Sequence, residues 1–420
     1  MNAESRTRWF RFLVLVMGGG SVYKLANLKD AFYVPMQQFM HLSNTQIGVL
    51  LSVNSGVATA LFVVGGYLAD RYPAPRVIPL GLIGTGLAGL YLSTFPSYTR
   101  MLLLFGFLAL CADCLCWPAL LKAVRSLGGA DEQGRMFGFF EGGRGLADTL
   151  VAFLALGIFV ALGSGKDGFR AAILCYACID IAVGVLILVL LRDERGPAAT
   201  TAQGAAQLSG LAGLKLAMSL PSVWLVSLNV FMVYVIYCGL TFFIPYLRDV
   251  YGMSVGMLGA YGIINQYGLK IIGGPLGGYL ADRRFGSAIG FMRMAFLALV
   301  PAMSLILLLP SGSGLILAGM AVTLVFGLIV FAMRGVFWAP MQEVRVPAEI
   351  TGSAFGIACL IGYAPGMFAY AVYGAILDRY PGAPGYHVVF SVMLVLALIG
   401  FGVATALQRL ASAEAPRLGA

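Results

Sequence analysis

Gly65-Gly66-Tyr67-Leu68-Ala69-Asp70-Arg71 recurs unchanged as Gly277-Gly278-Tyr279-Leu280-Ala281-Asp282-Arg283, 212 positions later in a chain of 420 residues. Each copy closes a long apolar run with small residues, an Asp-Arg pair and a basic turn. A heptapeptide repeated at half the chain length marks a duplicated fold. Three further landmarks extend the repeat. Phe32-Tyr33-Val34-Pro35 answers Phe242-Phe243-Ile244-Pro245 at an offset of 210. Trp117-Pro118 answers Trp338-Ala339-Pro340 at 221, and Gly134-Arg135-Met136-Phe137-Gly138 answers Gly352-Ser353-Ala354-Phe355-Gly356 at 218. The nearly constant offset defines two parallel halves.

The solvent of those halves follows from composition. The chain is 60% hydrophobic and 11% charged, with a mean hydropathy of +0.89. A soluble core cannot absorb that much apolar surface, so lipid must surround much of the chain. Twelve spans of helical length fit: roughly 11–38, 45–69, 76–95, 100–121, 135–162, 168–191, 221–247, 254–281, 287–309, 313–337, 350–377 and 385–408. The expected protein is therefore an all-α membrane protein, twelve transmembrane helices in two pseudo-symmetric six-helix bundles. These are residues 1–191 and 221–420, joined by a Gly/Ala/Thr/Gln-rich loop over 192–220. Sixteen Lys and Arg fall in loops on one side against five on the other, which places both termini in the cytoplasm of a cell inner membrane.

Several function classes drop out. The net charge of +9 is scattered over span ends and forms no basic face for nucleic acid. The seven cysteines lie inside apolar runs as small packing residues, Cys111-Ala112-Asp113-Cys114 included. His41 and His387 are far apart, so neither a metal set nor a cofactor is expected. No nucleophile–base pair or phosphate loop appears, which argues against an enzyme. Arg6, Arg8 and Arg11 before Phe12 resemble a signal peptide, but the apolar run continues past Gly20 and reads as a retained first span.

Function should lie with the ionisable residues inside spans, each costing roughly 2.5–3.5 kcal/mol on insertion scales. They are Lys24, Lys29, Asp30, Asp113, Glu141, Arg144, Asp148, Asp180, Lys270, Arg293 and Arg334. In span 5, Glu141, Arg144 and Asp148 share a helix face at i, i+3 and i+4 steps. They are either an internal ladder or a binding surface opened by Gly142, Gly143 and Gly145. In span 1, Lys24 lies too deep to snorkel and should face a wet cavity or a carboxylate, whereas Lys29 and Asp30 sit nearer the outer end. In spans 4 and 10, the 221-residue offset carries Asp113 onto Arg334, an interdomain ion pair that a proton or substrate would break. Local pairing, Asp113 with Lys24 for example, is the alternative. In span 8, Asn265, Gln266 and Lys270 face a similar direction, with Lys270 about 18 Å inward from Asp282 at about 1.5 Å per residue. The full list is nearly balanced, but the cavity candidates Lys24, Arg144, Lys270 and Arg334 outnumber Asp113 and Glu141, which favours an anionic substrate, with Tyr234, Tyr237 and Trp117 for stacking.

Gly66-Tyr67-Leu68-Ala69-Asp70-Arg71 followed by Arg76 resembles the signature loop between spans 2 and 3 of the major facilitator superfamily, and the resemblance covers nearly the whole chain. It departs at Tyr72-Pro73-Ala74-Pro75-Arg76, where the usual loop ends Gly-Arg-Arg. Within the superfamily, Asn27 to Pro35, Asp70 to Val77 and Cys116-Trp117-Pro118 are most similar to the organophosphate:phosphate antiporters. That branch carries paired arginines on spans 1 and 7 where this chain has Asn27 and Tyr237. The resemblance implies alternating access and a substrate contact at Arg144, where those antiporters place a histidine, with Glu141 tuning it or carrying a proton. It implies that spans 6 and 9 are peripheral, leaving Asp180 and Arg293 structural. It also implies that Asp70, Arg71, Arg125, Asp282 and Arg283 gate the cytoplasmic side. The expected activity is secondary transport of a small organic anion by a monomer, coupled to protons or to a counter-anion, with Asp113 or Glu141 as proton carrier. A multidrug or metabolite exporter and a transporter-shaped ligand sensor are the alternatives.

Overall fold

The computed structural model describes residues 3–127, 133–191, 210–344, 346–347 and 350–414. Fourteen helices carry the fold: α1 (Ala3–Ser21), α2 (Lys29–Met40), α3 (Asn44–Arg71), α4 (Ala74–Leu92), α5 (Tyr98–Leu127), α6 (Gln133–Ala161) and α7 (Lys166–Leu190); then α8 (Gly210–Ser219), α9 (Pro221–Tyr251), α10 (255–285), α11 (Ala288–Leu308), α12 (Ser313–Val336), α13 (Thr351–Arg379) and α14 (Ala383–Glu414). Among the described residues, ten helices are long and apolar enough to cross a membrane. The first and eighth of the twelve expected spans fall short for identifiable reasons. Span 1 is broken into α1 and α2, and α10 carries Asn265, Gln266, Lys270, Pro275 and eight glycines.

The break in span 1 corrects the expectation of one continuous helix over 11–38. Gly18-Gly19-Gly20 weakens helical propensity before Ser21, and Val22–Leu28 runs as turns. Helix resumes at Lys29 with Asp30 in its first turn, where a carboxylate suits the free amides, and kinks at Phe32 ahead of Pro35. The loop expected over 192–220 is corrected in its second part, where Gly210–Ser219 is helical; residues 192–209 lie outside the described residues. Elsewhere local signals work as expected. Ser43 and Gln46 start α3 with a reciprocal capping box, Gln46 N donating to Ser43 Oγ at 3.2 Å and Ser43 N to Gln46 Oε1 at 3.0 Å.

The chain forms two compact units, Met1–Thr200 with Ser254–Gly268, and Thr201–Met253 with Leu269–Ala420. In the first unit α1 packs on α6, α3 on α5, and α4 on α7. In the second, α9 packs on α13, the second half of α10 on α12, and α11 on α14. These are the same pairings shifted by six spans, so the duplication is structural. The repeated heptapeptide explains itself here. A Cβ on Gly65 would stand 2.7 Å from the Cys114 carbonyl oxygen, and one on Gly277 2.0 Å from that of Ala332, whereas Gly66 and Gly278 meet nothing within 4 Å. The first glycine of each copy lets span 2 or span 8 touch the backbone of the span two positions later.

Candidate functional site

In the first unit the charges gather where span 1 unwinds. The turn Val22–Leu28 sets Tyr23, Lys24 and Asn27 between two half-helices, with carbonyls at one end and amides at the other. Gly19 and Gly20 press α1 against α6, since a Cβ on Gly20 would stand 2.6 Å from that of Ala147. One turn further on, Lys24 meets Asp148, Nζ to Oδ1 at 2.8 Å, with side chains 1% and 7% exposed. The same ammonium lies 3.3 Å from the ring centroid of Tyr267. Tyr267 donates its hydroxyl hydrogen to Asp30 Oδ2 at 2.9 Å, and Asp30 pairs with Lys29. A chain of contacts thus runs Asp148–Lys24–Tyr267–Asp30–Lys29.

Three expectations change. Lys24 does face a carboxylate, but Asp148 and not Asp113. Lys29 and Asp30, placed near the outer end, are buried at 2% and 4% exposure, because adjacent opposite charges neutralise each other. Asp148 leaves the ladder with Arg144, whose guanidinium instead pairs with Glu141 at 2.7 Å. Tyr267 is the residue that the sequence did not single out. It sits in a π-helical turn, Ile264–Gly268, beside Asn265 and Gln266, which are buried. Lys270, half-buried, falls in the second unit, so these span 8 residues divide between the two.

A second group in the first unit surrounds Asp113. Leu110–Cys116 is a π-helical stretch within α5, a local widening often found at functional sites. The Tyr23 hydroxyl faces the Asp113 carboxylate, and its ring meets Trp117 edge to face at 6.0 Å. The Arg144 guanidinium stacks 4.6 Å from the Trp117 ring, and its partner Glu141 is 48% exposed at the side chain. Each cation named in this unit's two groups therefore has a carboxylate.

The second unit differs. Arg334, half-buried near the end of α12, has its guanidinium carbon 3.8 Å from the Tyr237 ring centroid, 5.5 Å from Tyr234 and 5.8 Å from Phe331. Tyr363 closes against Tyr234 at 5.0 Å. No carboxylate among the described residues of this unit pairs with Arg334. An arginine over aromatic faces keeps its planar donors available.

The gating candidates resolve in part. Arg71 donates to the Tyr67 hydroxyl at 2.6 Å, while the Asp70 side chain lies outside the described residues. Arg125, Asp282 and Arg283 are exposed, the latter two in the π-helical end of α10, Leu280–Phe285. Two residues that the sequence reading passed over make the firmer contacts. Lys122 donates to the Ala69 carbonyl at the end of α3, 2.6 Å away. Glu343 accepts from Ser287 Oγ at 2.7 Å, from the Ile289 amide at 3.3 Å and from the Ala288 amide, covering the start of α11. Lys122 and Glu343 stand 221 positions apart, the spacing of Asp113 and Arg334, and again the charge inverts. Each sign suits its helix end, a cation at carbonyls and a carboxylate at amides.

Two repeated helical bundles with charged and aromatic side chains held inside their spans define a membrane transport protein. The sequence profile of the Major Facilitator Superfamily matches residues 30–370, and the chain belongs to that superfamily. It is a transporter and not an enzyme. It is similar to "Inner membrane protein YihN" of Escherichia coli (strain K12), 44% identical over 408 residues and 96% of each chain. It is also similar to "Inner membrane protein YqcE" of the same organism, 28% identical over 391 residues, 92% of this chain and 91% of the other. Among solved structures, a bacterial homolog of the human lysosomal transporter Spinster, inward-facing and unoccupied, superposes with a TM-score of 0.77 at 15% identity, covering 96% of this chain and 97% of that one. A mutant of the nucleoside transporter NupG gives 0.71 at 13% identity, covering 96% and 99%. At those identities the likeness establishes the fold alone.

Proposed function

We propose that this chain is a multi-pass inner-membrane secondary transporter that moves a small organic anion by alternating access, coupled to protons or to a counter-anion. The observation that carries the proposal is Arg334, a membrane-embedded guanidinium surrounded by Tyr234, Tyr237, Phe331 and Tyr363 with no carboxylate of its unit beside it. A cation inside a span is costly and calls for a task, and an anion with an apolar or cyclic body suits both the charge and the rings. The names of the two Escherichia coli relatives support the membrane. The likeness to organophosphate:phosphate antiporters belongs to the same proposal, with Arg334 supplying a positive charge where that branch's paired arginines are missing.

In this assignment Arg334 binds the anionic group and Tyr234 and Tyr237 flank it. Lys270 is assigned a polar contact in the same unit; in the first unit, taken by itself, Arg144, held by Glu141 on Trp117, is assigned a substrate contact that Glu141 tunes, and Asn27, Asn265 and Gln266 are assigned polar contacts. The cytoplasmic side carries both termini and the gating residues. Purified protein in liposomes tests the proposal with a panel of carboxylates, sulfonates and phosphate esters: uptake of at least one, lost in Arg334→Gln, is expected. Export of cationic dyes without uptake of any anion would instead show a multidrug exporter. Binding by calorimetry without translocation would show a ligand sensor.

A further inference from the structure

Asp180 lies near the middle of α7, a peripheral span by the family resemblance and so expected to hold only a structural charge. Its burial contradicts a bystander role. The residue is 0% exposed, and neither carboxylate oxygen has a hydrogen-bond partner among the described residues. Two more polar atoms nearby share that condition. Ser21 ends α1 at 1% exposure, and its hydroxyl faces the Asp180 carboxylate without reaching bonding geometry. Thr85 on α4 is 0% exposed, and its hydroxyl is also unpartnered. Leu82, Thr85 and Gly89 form one helical stripe. A Cβ on Gly18 would touch Leu82, and one on Gly89 would touch Leu25, so this stripe faces α1 across the level of Ser21. A Cβ on Gly86 would stand 2.4 Å from Ile181, which brings the same turn of α4 against α7 beside Asp180.

The Ser21 hydroxyl thus faces the Asp180 carboxylate, and Thr85 lies on the turn of α4 packed beside it, all three groups without hydrogen-bond partners among the described residues. The charged and titratable groups facing this point are few. Lys24 follows Ser21 by three residues and is held by Asp148 of α6, and Cys116 approaches from α5. The Lys24–Asp148 pair is neutral, so ionised Asp180 leaves the site one negative charge in excess. That charge calls for one monovalent cation. A metal ion needs space and a shell of oxygen ligands around it, whereas the seam between α4 and α7 is close-packed and offers three polar side chains. A proton needs no volume.

We propose that Asp180 is a proton-binding residue of this transporter, with Ser21 and Thr85 as its hydrogen-bond partners. Uptake forms one O–H bond on the carboxylate with a proton from water, and release returns that proton to water. No other bond changes. With the proton in place, Lys24 stays paired with Asp148 and over the Tyr267 ring. Without the proton, Asp180 becomes a second destination for Lys24 and draws it away from Tyr267. The residue thus differs from Asp113 and Glu141, the proton carriers that sequence position favours, and bears only on the coupling part of the proposed function.

The test needs no transported substrate. Infrared difference spectra of the purified full chain in lipid vesicles are recorded while pH is stepped in sodium-free buffer, then with sodium added at fixed pH. A carboxylic-acid carbonyl band that vanishes on alkalinisation is expected. It should be missing in Asp180→Asn, retained in Asp113→Asn and Glu141→Gln, and shifted in frequency in Ser21→Ala and Thr85→Ala. The last two keep the carboxyl and guard against misfolding of Asp180→Asn. A band unchanged in Asp180→Asn or lost with Asp113, one unmoved in both hydroxyl variants, or a response to sodium in place of pH would overturn the assignment. Failure of the anion proposal in liposomes would leave these spectra as they are.

Discussion

Replacing Lys24 with methionine removes one member of an ion pair whose side chains are 1% and 7% exposed. At 2.8 Å, two unit charges attract by about 6 kcal/mol at an effective dielectric constant of about 20. Desolvation of several kcal/mol per ion offsets most of that gain, so the pair contributes little net stability. Removing one partner is different, because the other stays buried without compensation, at a cost of about 3–5 kcal/mol. Domain stabilities run to about 5–15 kcal/mol, so Lys24→Met should lose much of its folded protein. Asp148→Asn should be milder by about 2 kcal/mol, since Lys24 keeps the Tyr267 ring 3.3 Å away. The double variant Lys24→Met/Asp148→Leu leaves no charge behind and should recover wild-type stability. The assay is the fraction of monodisperse protein after heating in detergent, read by size-exclusion fluorescence across the double-mutant cycle. A Lys24→Met protein as stable as the wild type, or a double variant worse than both singles, refutes the reasoning. Loss of transport in Lys24→Met alone is therefore no evidence of substrate contact, whereas loss in the stable double variant is.

Other expectations follow from single contacts. Gly277→Ala and Gly65→Ala should abolish accumulation of folded protein, while Gly278→Ala and Gly66→Ala should be near neutral, as membrane expression levels will tell. Glu343→Ala uncovers two amides and the Ser287 hydroxyl at the start of α11 and should cost about 1–3 kcal/mol, measured as a lower melting temperature that Glu343→Asp partly restores. Tyr267→Phe keeps the ring over Lys24 but loses the bond to Asp30. It should cost less than Tyr267→Ala, which loses both, and equal melting temperatures for the two would contradict the geometry. Arg334→Lys keeps the charge but loses planar stacking on Tyr237, so anion binding should fall at least tenfold by calorimetry, and more in Arg334→Gln.

The architecture was legible in the sequence because two strong signals agree, hydropathy over about twenty residues and a heptapeptide repeated at half the chain length. Helix continuity was not. Gly18-Gly19-Gly20 is common in membrane helices, and hydropathy averages across the break that follows it. The π-helical turns that hold Asp113 and Tyr267 leave no composition signal either, since one extra residue per turn alters facing and not polarity. Charge pairing was legible only between near neighbours. Glu141 and Arg144 are three residues apart and pair, whereas Lys24 and Asp148 are separated by 124 residues and needed the packing of α1 on α6. The family resemblance implies a structural Asp180 because its span is peripheral; its buried oxygens, without hydrogen-bond partners among the described residues, are visible only in the packing of α1, α4 and α7.

The broken first span also constrains the order in which the protein assembles. Lys29 and Asp30 are neighbours and enter the bilayer already neutralised. Lys24 has no such partner at hand: Asp148 is made 124 residues later and Tyr267 243 residues later. At about 5–20 residues per second of synthesis, Asp148 follows after about 6–25 s. During that interval the Lys24 ammonium must stay hydrated or at the interface, because the bilayer centre would charge it the full insertion penalty. Span 1 is thus made before the other eleven expected spans yet cannot reach its final depth until α6 follows, and the arrival of α6 is the event that seats it.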